Sequence, residues 1–272
     1  MKRNHRRTIL LAAAAVLSSI LLLYIAQRFW AHRDKPFLPD YPQVALSETT
    51  NSTTIFLQTG LSCSALEKLP TEERFDTIKK AQDAFFHPPS SQCTPLLGWF
   101  TREDRLSQKT GIPLIDLQPG DILLTLSTHS AGWRHGHAGL AVDSDTILES
   151  TVLGSNSTLV SAAHWTTYSN YVVLRLKQIT PELQQQVINY SLTHLIDVPY
   201  RLFAGLTEPK APDPDSAWFG LHCSYLIWYT WNHFGYDLDS DGGRLVTAQD
   251  LLHSDLLEVV QVFGMDPHLF LS

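Results

Sequence analysis

Cysteine is scarce, with three in 272 residues. Three thiols exclude a disulfide-dense scaffold and any zinc site built from four thiolates. Positive charge is scarce too: Lys plus Arg number 20 against 27 Asp plus Glu, a net charge of −7. The few clustered cations sit at the extreme N-terminus, so no nucleic-acid-binding surface and no nucleic-acid partner is expected. No internal repeat is present. Charged residues make up only 17% of the chain against 44% hydrophobic. A chain of that composition carries a real core and is not disordered.

What is present begins at the N-terminus. Lys2, Arg3, Arg6 and Arg7 precede an uncharged run from Thr8 to Ala26, rich in Leu, Ala and Ile. Such a run is just long enough to cross a hydrocarbon core of about 30 Å. Gln27-Arg28-Phe29-Trp30 follows it in place of a small-x-small cleavage site. The expectation is a retained single-pass membrane anchor over residues 1–30. The leading cations would keep the N-terminus cytoplasmic and everything later extracytoplasmic.

Residues 31–105 read as a linker and an extension of unknown role. Asp34 to Pro42 is proline-rich and Ser47 to Thr54 is polar, both expected as loop. Thr71 to Phe86 has the start signals and apolar stripe of a helix. Cys63 and Cys93 fall in this segment, and in an exported protein a disulfide between them is expected. From about residue 106 to 272 the texture becomes that of one catalytic-sized domain. Strands are expected at Ile122 to Leu126, Gly136 to Val142, Thr146 to Val152 and Tyr171 to Leu176. Helices are expected from Thr180 to about Leu195 and from about Cys223 to Phe234.

Cys223 is expected at the N-terminus of the last helix, where unpaired N–H groups and the helix dipole stabilise a thiolate and can receive an oxyanion. A thiol nucleophile also needs a base and a group to orient it. His137 opens a strand within Gly136-His137-Ala138-Gly139-Leu140. With a three-residue turn, Gly139 would face Glu149, placing His137 diagonally from Glu149 on one sheet face. Cys223, His137 and Glu149 are thus the candidate catalytic residues, with the histidine as base and the carboxylate as its orienting partner. His135 and His137 also suit a strand-face metal site completed by His164 or His222, but a cysteine base accounts better for His137. Asp237, Asp239, Asp241 and Gly242 resemble the opening of a calcium loop, yet Ala248 stands where the bidentate Glu belongs. No metal and no cofactor is called for.

The motifs Leu117-Gln118-Pro119-Gly120-Asp121-Ile122-Leu123-Leu124, Gly136-His137-Ala138-Gly139, Ile147-Leu148-Glu149-Ser150, Val198-Pro199-Tyr200, His222-Cys223-Ser224 and Val246-Thr247-Ala248-Gln249-Asp250-Leu251 occur in this order. Over roughly residues 112 to 265 the chain resembles the YiiX/YebB-like, circularly permuted NlpC/P60 cysteine hydrolases. That resemblance implies an α+β, permuted papain-like fold, with an antiparallel sheet packed on helices behind the N-terminal transmembrane helix. By position it implies His137 as base, Glu149 as its partner and Cys223 as nucleophile. It further implies an amide substrate in cell-wall peptides, with an acyl-ester hydrolase or acyltransferase, or a non-catalytic envelope-binding module, as alternatives. Tyr225 stands where the family often has Glu, and Ala248 where it has Pro. Tyr200, Trp218 and Ser224 are candidates to contact the substrate. Nothing in the sequence fixes an oligomeric state.

Overall fold

The computed structural model describes residues 2–30, 37–97, 101–107, 114–130, 133–206 and 209–271. Four helices come first: α1 (Lys2–Trp30), α2 (Ser52–Thr59), α3 (Cys63–Glu67) and α4 (Thr71–Phe86). The Ser/Thr-rich stretch expected as loop therefore starts a helix. Asn51 caps it, its side chain accepting from Thr54 N at 2.8 Å, which is what such residues do ahead of a first turn.

The membrane anchor is corrected. Helix α1 forms, but among the described residues no helix is long and apolar enough to cross a membrane. Residues 12–15 in α1 are alanine, and Ser18 and Ser19 interrupt its apolar character. The single-pass localisation that rested on this helix is withdrawn with it.

The strands are β1 (Ser91–Leu97), β2 (Thr101–Leu106), β3 (Ile122–Thr125), β4 (Thr128–Ser130), β5 (His137–Ala141), β6 (Thr146–Glu149), β7 (Thr158–Ser161) and β8 (Tyr171–Leu176). Helices α5 (Pro181–His194), α6 (Cys223–His233) and α7 (Ala248–Leu252) follow, and then strand β9 (Leu257–Phe263). They build two antiparallel sheets where one was expected. The larger has the order β7-β6-β5-β3-β8-β9, the smaller β1-β2-β4. The architecture is mixed α and β.

Alternation along β3 shows how the large sheet is buried. Ile122 and Leu124 face a core shared with Val187 of α5 and Leu226 and Trp231 of α6. Leu123 faces a second core with Leu61, Ile78 and Trp165. Successive strand residues point to opposite faces, so apolar residues on both parities mean a sheet covered on both sides. The 31–105 stretch supplies much of that second cover.

The turn before β3 is fixed by charge. Arg175 on β8 grips Asp121 with two hydrogen bonds of 2.7 Å, and Asp121 also accepts from Gln118 N at 2.8 Å. Gly120 takes φ +92° there, a left-handed conformation open to glycine. Burial raises the Asp121 carboxyl above its ordinary pKa, and the Arg175 guanidinium opposes that rise.

Candidate active site

Three local devices deliver the candidate triad. Gly136 has φ +71°, and a Cβ there would lie 2.7 Å from the Thr125 carbonyl, so glycine alone permits the bend that starts β5 with His137. Register then pairs Gly139 with Glu149 across β5 and β6. Gly139 must be small as well. A Cβ would meet Ile147 at 2.5 Å and the Trp165 indole at 3.0 Å. Third, the His222 side chain caps α6 by accepting from Tyr225 N at 3.4 Å, so the helix begins at Cys223. Its first turn leaves the N–H groups of Cys223 and Ser224 outside intrahelical bonding.

Glu149 is the hub. Its Oε2 lies 3.3 Å from His137 Nε2 as an ion pair, outside hydrogen-bond geometry. Its Oε1 accepts from Trp165 Nε1 at 2.6 Å and faces His164 Nε2 at 3.1 Å. The Trp165 ring stacks on His137, with centroids 5.6 Å apart and planes 13° from parallel. Nε2 is turned to the carboxylate, which leaves Nδ1 as the nitrogen for Cys223.

The electrostatics follow from burial against charge. Burial raises the Glu149 carboxyl, but the His137 and His164 rings outweigh it and hold it down at about 2. For His137 burial acts downward, and the Glu149 charge with the hydrogen bond to Cys223 pushes it up to about 10. Burial alone would raise the Cys223 thiol; hydrogen bonds from His137 and His222 bring it well below the ordinary value. Both directions favour a thiolate beside an imidazolium, the form in which a cysteine attacks a carbonyl.

Cys223 opens into a cavity of about 670 Å³. Leu96, Trp133, Val152, Leu153, Leu202 and Leu245 form its apolar walls. Tyr200 and Ser224 also line it, and Ser224 Oγ donates to the Val246 carbonyl at 2.9 Å. Trp218 is not brought to the site: it is 79% exposed, with the Arg201 guanidinium 6.0 Å over its ring. His135 lines the cavity while bonded to Ser130 and the Gly136 carbonyl.

One other expectation is revised. Cys63 and Cys93 are both free thiols. Cys63 is exposed at the start of α3 and donates to Glu67, whereas Cys93 lies on β1 facing His129. No disulfide joins them. In the calcium-like loop, Lys210 pairs with Asp239, and Asp237 accepts from Trp228 Nε1.

Trp165 went unnoticed as a site residue in the sequence, because nothing local ties residue 165 to 149. His222 was weighed there only as a metal ligand, although a histidine directly before a helix-heading cysteine is placed to cap the helix and reach the thiol.

No family model matches the chain, and no curated protein does either. Among solved structures, the chain is similar to the metalloprotein yiiX from Escherichia coli O157:H7 (DUF1105), with 15% identity and a TM-score of 0.40. That likeness covers 53% of this chain and 96% of that one. It is too slight to assign this chain to a family.

Proposed function

We propose that the chain is a cysteine hydrolase that cleaves an acyl ester or amide whose apolar acyl part lies in the cavity beside Cys223. The observation that carries this reading is Cys223 heading α6 and lining a cavity with several leucines, with the Glu149-backed His137 ring beside it.

The Cys223 sulfur would attack the carbonyl carbon. The oxyanion would be received by the N–H groups of Cys223 and Ser224 at the head of α6. As the tetrahedral species collapses, the imidazolium of His137 gives its proton to the departing alcohol or amine, leaving a thioester on Cys223. Neutral His137 then takes a proton from water, whose oxygen attacks the thioester carbonyl. The acid leaves and the thiolate–imidazolium pair is restored.

Arg134, His135, Thr101, Ser130, Thr247 and Gln249 also line the cavity, so the cell-wall peptide expected from the sequence is the second substrate to assay. The test is to assay acyl p-nitrophenyl esters and a muropeptide digest in parallel, with intact-mass detection of acyl-enzyme. Ester turnover, with an acyl adduct that maps to Cys223 and vanishes in Cys223→Ala, supports the reading. Equal product release by Cys223→Ala overturns it and leaves a binding module.

A further inference from the structure

The small sheet carries a second constellation that the proposed chemistry does not use. Cys93 on β1 is directly opposite Asp104 on β2. On β4, His129 is paired with Arg102, two residues from Asp104. Side chains two apart along a strand share a face, so all three project from the same side of the sheet. His129 and Asp104 are 2% and 1% exposed, and Cys93 is half-buried.

Their ligand atoms lie within 4.8 Å of one another. His129 Nε2 is 3.7 Å from Cys93 Sγ and 3.5 Å from Asp104 Oδ1. Both neighbours face the same nitrogen, which has one proton to donate and cannot point it at both. A Cys–His–Asp relay would use the two ring nitrogens separately, so this is not a second triad. The N···O separation also exceeds an N–H···O hydrogen bond of about 2.7–3.2 Å. It matches the edge of a tetrahedron instead. With zinc–ligand bonds of about 2.0–2.3 Å, neighbouring ligands of one ion stand about 3.3–3.8 Å apart. The outer carboxylate oxygen, Asp104 Oδ2, accepts from Arg134 at 2.7 Å, the kind of outer contact that fixes a metal-binding carboxylate.

We propose that Cys93, Asp104 and His129 bind one zinc ion, with the fourth position left to water. Thiolate, imidazole and carboxylate together suit zinc rather than calcium or magnesium, which take oxygen ligands. The ion would take one ligand from each strand of the small sheet. Those strands also supply Leu96, Thr101 and Ser130 to the cavity, so the zinc would pin one wall of the substrate site without touching the substrate.

The experiment uses the full chain carrying Cys63→Ser and Cys223→Ser, so that Cys93 is the only thiol and the ion cannot lodge at the nucleophile. The metal-stripped protein is titrated with zinc ions against a chromogenic chelator, and separately with Co²⁺. One zinc per chain is expected, together with a Co²⁺ spectrum showing tetrahedral bands and thiolate charge transfer. Adding Cys93→Ser should abolish the charge-transfer band and weaken zinc binding at least ~100-fold, the upper end of what even outer partners cost. Asp239→Asn, in the acidic loop, should leave both readouts unchanged. Should His129→Ala fail to fold by circular dichroism, the half-buried Cys93→Ser still decides the matter. Absence of stoichiometric zinc, or equal affinity with and without Cys93, overturns the proposal. Neither outcome bears on hydrolysis at Cys223, which this background has already removed.

Discussion

Trp165 Nε1 donates to Glu149 Oε1 at 2.6 Å while the same indole stacks on the His137 ring. One aromatic side chain therefore fixes both members of the ion pair behind the nucleophile. Trp165→Phe keeps an aromatic ring and deletes the donor. A hydrogen bond to a charged group is worth about 1.5–3 kcal/mol, and that loss is expected in urea unfolding at pH 6. Glu149 is depressed from 4.5 to about 2, so its contribution is present above about pH 4.5 and fades as pH falls through 2. At pH 2 the variant should lie closer to wild type. An equal deficit at both pH values would show that the indole acts by packing alone.

The thiolate–imidazolium pair sets the pH range of reactivity. Cys223 lies well below its ordinary pKa and His137 is pushed up to about 10. Iodoacetamide should therefore label Cys223 in the native protein at pH 6, where a free cysteine of pKa about 8.5 is almost wholly protonated. Ester hydrolysis should hold through neutral pH and fall near pH 10, as the imidazolium that protonates the leaving group is lost. In His137→Ala the labelling should move to alkaline pH and hydrolysis should drop about 10²–10⁴-fold. Labelling of His137→Ala at pH 6 as fast as wild type would remove the histidine from this role.

Space at Gly139 is a separate requirement. Gly139→Ala drives a methyl group toward Ile147 and the Trp165 indole, and overpacking of this kind costs about 1–3 kcal/mol. Displacing Trp165 should also loosen Glu149 from His137. Thermal melting and the pH profile of iodoacetamide labelling should shift together. A lower melting point with an unchanged labelling profile would separate packing from the triad.

Chain-length preference tests the cavity. Each buried methylene is worth about 0.8 kcal/mol, or about fourfold in kcat/KM. Activity on acyl esters should climb by about that factor per carbon until the chain fills the space. Leu202→Trp should lower the length at which the climb stops and leave short esters unaffected. A flat length profile would place the acyl group elsewhere.

Much of the large sheet could be read from the sequence because its signals are local. The Gly139–Glu149 pairing follows from a three-residue turn between two apolar runs, and α6 from the helical spacing of Leu226, Ile227, Thr230 and Trp231. The small sheet was not legible. Strand β2 is Thr-Arg-Glu-Asp-Arg-Leu, with no apolar alternation to betray it. Glu103 accepts from Arg105 two residues along and from the distant Tyr168 hydroxyl, and Asp104 pairs with Arg134 thirty residues away. Strand β1 carries Pro95, which suits an edge strand and discourages reading it as strand at all. A site assembled from these two strands and β4 could emerge only in three dimensions.

His222 closes the first turn of α6 and stands beside the sulfur that the turn presents. A chain still on the ribosome, or one that has lost its fold, has no such turn. Its Cys223 is then an ordinary thiol, indifferent to carbonyls at neutral pH. On the proposed reading, the nucleophile would be armed by folding itself and disarmed by unfolding.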